Sequence, residues 1–384
     1  MTIQPESLVP DIARDLDVSA ALLRMHLLSK SLYAVESSGF SFLRFRQPCG
    51  KVEEGTVVFE TPTGGVEYMR GFPKIRRVYD IGAGLRKHFP TPFYVEEKMD
   101  GYNVRCALVG GRFAAVTKGG LVCPYTTENL RHVVESGFFH DHPSLMLCGE
   151  VVGLANPYQT KSYPRARDFG FFVFDARDRV SGKPLPPEKR YRIVKEYGLK
   201  GVRVLGKSKS SDSRKLLSLV RKIGEDEREG IVIKSLDGCM QAKYTSNQST
   251  NSDLRYAFRF PFDYAQAFFF RRLVREAFQA HELGLKGAAL KREAARLGES
   301  LLIPLVQTIR DVSEGREVVE EFELLVPSRE FAANFVEHLR HLGVKASMRS
   351  VKREGRRFRA KVARHYQSTN DKTRSYLEGE FGGE

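Results

Sequence analysis

The residues with the clearest chemical content lie between positions 98 and 105, which read KMDGYNVR. The preceding run, residues 93–97, has a strand-like pattern, and the Asp-Gly pair after Lys98 predicts a turn. The alternation of residues 103–109 predicts a second strand, so we expect Lys98 at a strand end with its amine directed into a cleft. A lysine amine is a nucleophile only when neutral, a state that burial and neighbouring cations favour. The alternative is a solvated surface lysine beside a hairpin turn, and one short segment does not decide between them.

Five further segments follow in chain order and contain the acids, lysines and aromatic residues that a nucleotide site needs. They are residues 117–120 (TKGG), 148–153 (CGEVVG), 169–175 (FGFFVFD), 229–234 (EGIVIK) and 241–244 (QAKY). Together with KMDGYNVR, they resemble motifs I, Ia, III, IV and V of the covalent nucleotidyltransferases, and the glutamate-bearing strand between motifs Ia and III. That superfamily comprises the ATP-dependent RNA and DNA ligases and the mRNA capping enzymes. Six matches in the right order make chance a poor explanation.

Within the superfamily, the chain most resembles the archaeal-type ATP-dependent RNA ligases, which circularise RNA and form homodimers. The resemblance rests on residues 68–75 (YMRGFPKI), on the form of the motif at Lys98 and on the overall plan of the chain. Its specific motifs lie between Arg70 and Tyr244, and outside that span only the layout is similar.

The resemblance implies a covalent mechanism. Lys98 matches the nucleophile that becomes lysyl-AMP, and Lys234 and Lys243 match the family's α-phosphate and catalytic lysines, which supply the positive charge that attack on phosphorus requires. ATP is the implied co-substrate, and Mg²⁺ (or Mn²⁺) is the implied divalent ion. The residues implied to bind ATP are Glu96, Glu97, Lys98, Asn103, Arg105, Lys118, Glu150, Phe172, Lys234 and Lys243.

Several of these residues carry a more specific role in the family that the chain resembles. Arg105 matches an arginine that holds the ribose, and Glu150 matches a glutamate that reaches a ribose hydroxyl or the metal. Glu229 matches the acid that organises the divalent ion through waters, as magnesium prefers, so Glu150 and Glu229 are the implied metal residues. Lys118 stands where several relatives carry arginine, and a lysine neutralises phosphate without the bidentate fork.

The aromatic residue that stacks on adenine is expected to be Phe172, with Phe171 as the alternative. Neighbouring residues of a strand face opposite sides, so one of the two must point into the core. The sequence does not choose between them.

The composition fits a nucleic-acid partner. The 384 residues include 62 basic and 47 acidic side chains, which give a net charge of +15 and a pI near 9.6. Such an excess suits a polyanion, although a charge-rich, thermophile-like surface is the alternative. Five cysteines without a C-x-x-C pair argue against a zinc site and a disulfide framework. Because no apolar run reaches membrane length and no signal-peptide pattern is present, we expect a cytoplasmic protein without membrane partners.

The order of predicted elements indicates an α+β fold in four parts. A small N-terminal α/β module (residues 1–63) precedes a central antiparallel-sheet nucleotidyltransferase, or adenylation, domain (64–246). A helical domain (247–316) and a small basic α+β domain (317–384) follow. The predicted strands of the central domain are residues 93–98, 103–109, 112–118, 145–153, 169–175, 202–205, 230–234 and 240–244, and its predicted helices are residues 128–135, 187–197 and 211–223.

Two long helices are predicted after residue 250. Residues 264–283 and 287–310 carry apolar side chains at i, i+3 and i+4 spacing. The first has more apolar surface than a solvated helix needs, which indicates either a homodimer interface or packing against the catalytic domain.

Two groups of basic residues are candidates for contact with RNA. Arg357, Arg359 and Lys361 alternate along a predicted strand and so share one face, which is either an RNA-binding face or a solvated hairpin face. Arg70 and Lys74 resemble a basic pair that precedes motif I in some RNA ligases, and we assign them to ATP phosphates or RNA.

The resemblance thus predicts an ATP-dependent RNA ligase. After self-adenylylation on Lys98, AMP would pass to an RNA 5′-phosphate, and a 3′-hydroxyl would then displace it, circularising single-stranded RNA. The alternatives are a DNA ligase, a capping guanylyltransferase or a non-catalytic RNA-binding protein on a ligase scaffold. The first two usually place an OB-fold after motif V, where this chain has long helices.

Overall fold

Alternating sequence patterns fold into four sheets in the computed structural model, which describes residues 4–61, 64–134 and 136–381. The first, antiparallel sheet pairs β1 (Leu32–Ser37), β2 (Phe40–Phe45), β3 (Val57–Glu60) and β4 (Val66–Met69) in chain order. The strands of the second sheet are β7 (Tyr102–Val109), β8 (Arg112–Thr117), β9 (Leu145–Val152) and β10 (Gly170–Asp178). They are antiparallel and run in the order β10-β9-β7-β8.

The third sheet carries the first segment with chemical content. Its strands are β5 (Arg76–Arg77), β6 (Phe93–Lys98), β11 (Val204–Ser208), β12 (Gly230–Ser235) and β13 (Gln241–Thr245), in the order β11-β6-β12-β13-β5. The fourth, antiparallel sheet consists of β14 (Val319–Val326), β15 (Ala346–Glu354) and β16 (Arg357–His365), with β16 in the middle.

The helices connect and cover these sheets. They are α1 (Pro5–Asp15), α2 (Ala20–Leu28), α3 (Ile81–His88), α4 (Pro124–Leu130), α5 (Ser136–Asp141), α6 (Pro187–Glu196), α7 (Ser213–Glu225), α8 (Asn247–Ala257), α9 (Gln266–Glu282), α10 (Gly287–Ser313), α11 (Arg329–His341) and α12 (Gln367–Leu377). Side-chain caps start several of them, because the first amides of a helix lack partners within it. Asp80 accepts from Ala83 N at α3, and Ser246 accepts from Ser249 N at α8.

The chain packs into two compact units, each built from several stretches. Unit 1 consists of Met1–Arg76, Asp100–Val204 and Lys234–Gln241. Unit 2 consists of Arg77–Met99, Leu205–Ile233 and Ala242–Glu384. Unit 1 contains an aromatic-rich core between its sheets, and unit 2 contains the apolar layer under β6, β12 and β13. The four-domain division remains a prediction at the level of sequence.

The predicted α+β class, the eight strands of the central region and the two long helices are confirmed within a few residues at their ends. The helix predicted at 128–135 is wrong in position. It begins four residues earlier because Pro124, whose fixed φ suits a first helical turn, follows the N-cap Cys123. Residues 131–134 are turns, and residue 135 lies outside the described residues. The predicted N-terminal α/β module begins with two helices, α1 and α2.

Four of the five cysteines are buried, and Cys239 is exposed. Burial raises the pKa of the Cys148 thiol to about 12 and also raises the pKa values of Cys49, Cys106 and Cys123. Cys239 lies in the turn between β12 and β13. None of the helices in the described part of the chain is long and apolar enough to cross a membrane.

Candidate active site

One face of the third sheet packs against an apolar core, so the side chains that alternate with the apolar ones lie on the opposite face. The core under the sheet contains Phe93, Val95, Ile231, Ile233, Ala242 and Tyr244 from the strands and Ile81, Leu85, Leu216, Val220 and Ile223 from α3 and α7. Successive side chains of a strand face opposite sides. Glu96, Lys98, Lys243 and Thr245 therefore face away from this core.

Lys98 and Glu229 form an ion pair on unit 2. The Lys98 Nζ contacts Glu229 Oε2, and the two side chains are only 19% and 16% exposed. Lys98 ends β6 and Glu229 immediately precedes the neighbouring strand β12, so the order of the sheet brings them together. The structure thus confines the predicted nucleophile beside a carboxylate in a largely water-excluded position.

Lys243 lies on the next strand of the same sheet. Its carbonyl oxygen accepts from Val78 N at 3.0 Å, which ties β13 to the chain just after β5. Of the sequence-predicted residues in unit 2, the structure brings Glu96, Lys98 and Lys243 to one face, while Glu97 alternates to the other side of β6. Both Glu96 and Glu97 are buried.

In unit 1, three predicted ATP residues form one row across the second sheet. Asn103 on β7 is opposite Glu150 on β9, and Glu150 is opposite Phe172 on β10. Directly opposed residues of antiparallel strands project from the same face, so the three side chains are neighbours. The Oδ1 atom of Asn103 is buried and has no hydrogen-bond partner within the described residues. An unpartnered buried acceptor suits a hydroxyl group of a ligand.

The register also separates the two candidate phenylalanines. Phe171 is opposite Val151 and belongs to the hydrophobic core of unit 1. Its ring lies against Gly149, where a Cβ atom would be only 2.3 Å from Phe171 Cε2. Phe172 instead shares the face of Glu150, and its ring centroid is 6.1 Å from that of Tyr163. This geometry favours Phe172 as the residue that stacks on adenine.

Arg105 is fully buried, in a way that the sequence did not indicate. Its guanidinium donates to Gly55 O, Met69 O, Arg70 O and Thr117 O at 2.5 to 3.3 Å. Burial lowers its pKa to about 10. Because four carbonyl oxygens of the protein occupy its two Nη groups, and only the buried Nε has no partner within the described residues, the geometry does not support the ribose contact that the resemblance implied. Arg105 instead holds the end of β8, through Thr117 O, against the start of the segment between β4 and β5, through Met69 O and Arg70 O.

The acid of the KMDG segment is held by two residues that sequence reasoning missed. Gln159 Nε2 donates to Asp100 Oδ1 at 3.0 Å, and Asp100 N donates to Tyr163 Oη at 2.8 Å. Gly101 packs against β9 so closely that a Cβ atom would be 2.2 Å from Val151 O, which explains why this position is a glycine. The loop that carries Gln159 and Tyr163 has no periodic pattern, so no sequence signal pointed to it.

Arg70, Lys74 and Lys118 have different surroundings. Arg70 is buried and donates to Glu53, Val180 O and Lys51 O at 2.6, 3.2 and 2.5 Å, so the structure does not support its predicted contact with ATP phosphates or RNA. Lys74 is 86% exposed and lines a pocket of unit 1 together with the exposed Lys118. These two lysines keep free ammonium surface that a phosphate can reach.

Lys234 of β12 is buried in unit 1. Its Nζ donates to Phe174 O at 2.5 Å and lies 5.8 Å from the centroid of the Phe174 ring. The side chain is thus held in a fixed position by a strand of the second sheet.

The basic C-terminal strand is paired with acids. Arg359 bonds to Glu354 and Glu323 at 2.6 and 3.0 Å, and Lys361 bonds to Glu321 at 2.5 Å. Arg357 donates to Leu325 O at 2.7 Å. The predicted common face exists, but its charge is largely balanced by β14, so its contact with RNA remains a prediction.

No group of three or more His, Cys, Asp or Glu side chains in the described ranges is arranged to hold a metal ion. With nucleotides, magnesium usually takes most of its ligands from water and phosphates. Single carboxylates such as Glu229 and Glu150 fit that mode of binding.

Comparisons with known proteins agree with this architecture. Residues 91–247 match the RNA ligase family, and residues 256–380 match the family of the C-terminal region of the ligase Pab1020. An archaeal ATP-dependent RNA ligase, solved in two forms, is 38% identical and superposes with a TM-score of 0.92 over 99% of this chain and 100% of its own.

Two further relatives cover nearly the whole chain. The uncharacterised protein MJ0414 of Methanocaldococcus jannaschii is 32% identical over 378 residues, which are 96% of this chain and 95% of that protein. A protein from Aquifex aeolicus, provisionally described as an ATP-dependent DNA ligase, is 26% identical with a TM-score of 0.87, over 95% of this chain and 100% of its own.

The fold and the ordered motifs define a nucleotidyltransferase-type ligase, an enzyme. Within that class, the chain belongs to the archaeal ATP-dependent RNA ligases.

Proposed function

We propose that this ligase adenylylates itself on Lys98, transfers AMP to the 5′-phosphate of an RNA and joins that end to a 3′-hydroxyl. The observation that carries the proposal is the part-buried pair of Lys98 and Glu229 at adjacent strand ends of one sheet. A lysine on a solvated hairpin, the alternative reading of the sequence, would be exposed and would have no such partner.

The first step forms a phosphoramide bond. The lone pair of Lys98 Nζ attacks the α-phosphorus of ATP, and the bond to the β-phosphate oxygen breaks as pyrophosphate leaves. The amine must lose a proton, and Glu229 Oε2 is an acceptor in direct contact with it. The resemblance assigns Lys234 and Lys243 to the charge on the α-phosphate.

Unit 1 supplies residues for the nucleoside. Phe172 stacks on adenine, while Asn103 and Glu150, which lie in one row with it, bond the ribose hydroxyls. Lys118 and Lys74 present charge to phosphates of ATP or RNA. A divalent ion, Mg²⁺ or Mn²⁺, would screen the negative charge of the phosphates and would be held by Glu229 and Glu150 through waters.

Two transfers complete the reaction. An oxygen of the RNA 5′-phosphate attacks the phosphorus of lysyl-AMP, the P–N bond breaks, and the Lys98 amine regains a proton. A 3′-hydroxyl then attacks the activated 5′-phosphate, its proton passes to a base, and AMP leaves as the phosphodiester forms. With both ends on one molecule, the product is a circle of single-stranded RNA.

We also propose that the enzyme is a homodimer. Large apolar side chains on and between α9 and α10 remain exposed in the single chain: Phe270, Phe278, Leu283, Leu290, Leu302, Ile303 and Ile309. Exposed large apolar side chains of this kind are typical of an interface. Packing of α9 against its own chain, the other interpretation of the sequence, does not cover these residues.

A second candidate function is the joining of DNA ends. It is favoured by the similarity to the Aquifex aeolicus protein that is described as a DNA ligase. The arrangement after β13, with helices α8, α9 and α10 followed by a three-stranded sheet, differs from the OB-fold that usually follows motif V in DNA ligases and capping enzymes.

The test compares wild type with Lys98→Ala and with Lys87→Ala, an exposed lysine of α3. After incubation with α-labelled ATP and magnesium, label should remain on the denatured wild type and Lys87→Ala but not on Lys98→Ala. Addition of 5′-phosphorylated single-stranded RNA should then give an exonuclease-resistant circle, and the matching DNA should give little. Label from GTP in place of ATP would replace the proposed nucleotide, and a preference for DNA ends would replace the proposed acceptor. The absence of any label would contradict the mechanism.

A further inference from the structure

Two arginines of unit 2 converge on a single hydroxyl group. Arg77 Nη1 donates to Thr245 Oγ1 at 2.6 Å, and Arg275 Nη1 donates to the same oxygen at 3.0 Å. Arg77 belongs to β5, Thr245 ends β13, and Arg275 lies on α9, so three elements that are distant in sequence meet here. One neutral oxygen does not compensate two neighbouring guanidinium charges, which repel each other.

The bonding of Arg275 is incomplete. The residue is 8% exposed, and its Nε and Nη2 atoms have no hydrogen-bond partner within the described residues. A buried guanidinium with two unused donors is unfavourable unless an acceptor is present in the working protein. Burial and the charges of Arg77 and Arg272 lower the pKa of Arg275 to about 10, which is the electrostatic sign of a crowded cation.

The acids nearby do not balance this charge. Asp253 Oδ2 lies 2.8 Å from Arg272 Nη2 and only 3.8 Å from Arg275 Nη2, so its ion pair is mainly with Arg272. Burial raises the pKa of Glu276 to about 8, so this neighbour of Arg275 is mostly neutral near pH 7. The cluster therefore has excess positive charge, and its forked donors match the oxygens of a phosphate group.

The position of the cluster relates it to the chemistry. Thr245 follows Lys243 by two residues on β13, and both side chains face away from the apolar core, as Lys98 does. The cluster is near the pair of Lys98 and Glu229, because Ser246 N, the amide that follows Thr245, donates to Glu229 O at 2.9 Å. Arg77 and Arg275 both lie outside residues 91–247, the part of the chain shared with RNA ligases in general.

We propose that Arg77, Thr245 and Arg275 form a phosphate-binding site for the RNA substrate, which holds a backbone phosphate on the catalytic side of the sheet. This inference rests on the proposed ligase function. A phosphate of ATP has the same chemistry. The nucleic acid that accepts AMP, however, is what distinguishes one class of ligases from another. Residues outside the shared nucleotide-binding segment are therefore better suited to bind this acceptor RNA.

The test separates the two sources of phosphate. Arg275→Met and Arg77→Met remove one guanidinium each, and Arg271→Met, an exposed arginine one turn earlier on α9, is the matched control. Three quantities are measured: labelling by α-labelled ATP as a function of ATP concentration, sealing of a 5′-adenylated single-stranded RNA, and the Kd of that RNA as a function of salt. Sealing of the 5′-adenylated RNA does not require ATP, and labelling by ATP also shows whether each variant is folded.

We expect both variants to seal adenylated RNA about tenfold more slowly, and the slope of log Kd against log salt to fall by about 0.7 for each lost phosphate contact. Arg275→Lys should restore part of the slope, and Arg271→Met should behave as wild type. A higher KM for ATP with unchanged sealing would assign the site to ATP, and unchanged values throughout would make the cluster a structural layer; either result overturns the proposal. If wild type is not labelled on Lys98, the proposed function fails independently of the variants.

Discussion

At the scale of the residue, the ion pair of Lys98 and Glu229 is the central feature of the proposed mechanism. An amine attacks phosphorus only after it has lost its proton, and in that mechanism Glu229 is the acceptor in direct contact with the Lys98 amine. The proposed binding of ATP and activation of the amine are thus linked through one carboxylate.

The two neighbouring phenylalanines of β10 offer a paired test. We expect Phe172→Leu to raise the KM for ATP about tenfold because a leucine cannot stack on a base, in addition to any loss of stability, since Phe172 is itself only 5% exposed. We expect Phe171→Leu to lower the free energy of unfolding by about 1–3 kcal/mol because it leaves space against Gly149 in the core. ATP titration of the labelling reaction and thermal denaturation distinguish the two. The opposite pattern would assign adenine stacking to Phe171.

Arg105 should behave as a structural residue. Its replacement by Met would leave carbonyl oxygens of Gly55, Arg70 and Thr117 buried without donors, so we expect a loss of at least about 3 kcal/mol in the free energy of unfolding. Urea denaturation measures this loss. Arg112→Met, at the exposed start of β8, is the control. An unchanged stability with a raised KM for ATP would restore the ribose contact that the resemblance implied.

Sequence patterns predicted candidate site residues at this scale but not their surroundings. Residue types and order predicted Lys98, Glu229 and Lys243 as site residues, because motif spacing is local information, and the structure places these three on or next to one sheet of unit 2. Nothing local revealed that Arg105 is covered by residues 55 and 69–70, that Tyr163 and Gln159 hold Asp100, or that Arg77 meets Arg275. These contacts join positions that are distant in the chain, and only the fold brings them together.

At the scale of the element, helix α9 joins the C-terminal region to the edge of the third sheet. Glu282 accepts from Ile81 N and from Tyr244 Oη, and Gln279 Nε2 donates to Thr245 O. Its buried polar side chains make α9 unusual, because a buried helix face is normally apolar. The helix was predicted from its apolar positions, but its polar buried face was not.

Glu276 on the same helix makes stability depend on pH. Burial and Glu293 raise its pKa from 4.5 to about 8, while Thr250, Arg275 and Arg296 act in the opposite direction. Between pH 4.5 and about pH 8, the folded protein keeps this proton, whereas the unfolded chain has released it. The free energy of unfolding therefore falls as the pH rises through this window. We expect Glu276→Gln to match wild type near pH 4.5 and to be more stable by on the order of 2 kcal/mol near pH 9.

Urea denaturation across that pH range measures the effect, with the exposed Glu299→Gln of α10 as the control. A stability difference between Glu276→Gln and wild type that does not change with pH would show that the carboxyl group does not titrate in this window.

Strands and long helices were predictable because their apolar side chains recur at regular spacing in the sequence. Strands β6 to β9 and β14 to β16 alternate clearly, and α9 and α10 have long apolar stripes. Helices α3, α8 and α12 were missed because they are short and rich in polar residues. Helix α8 begins with the Ser246 cap, but its sequence NQSTNSDLRYA lacks an apolar stripe, and packing with α9 and α10 supports it instead.

At the scale of the whole molecule, the exposed apolar surface of α10 predicts self-association. Leu302 and Ile303 are 64% and 61% exposed in the single chain. We expect Leu302→Glu to convert a dimer into a 43.5 kDa monomer, because burying a carboxylate in an apolar interface is unfavourable. Light scattering measures the mass.

Leu28→Glu is the matched control, since Leu28 is an equally apolar, 86% exposed residue on α2. A wild-type mass of 43.5 kDa would remove the dimer from the proposed function, and dissociation caused by the Leu28 variant would place the interface elsewhere.

The distribution of thiols has a practical consequence for spectroscopy. Cys239 is exposed in the turn that joins β12 to β13, the strands of Lys234 and Lys243, while the other four thiols are buried and held protonated. A maleimide dye added to the native enzyme would attach at this position, with no engineered cysteine. The fluorophore would be covalently fixed at the turn between two lysine-bearing strands. Denaturation would expose all five thiols, so the number of dyes per chain would also count unfolded molecules.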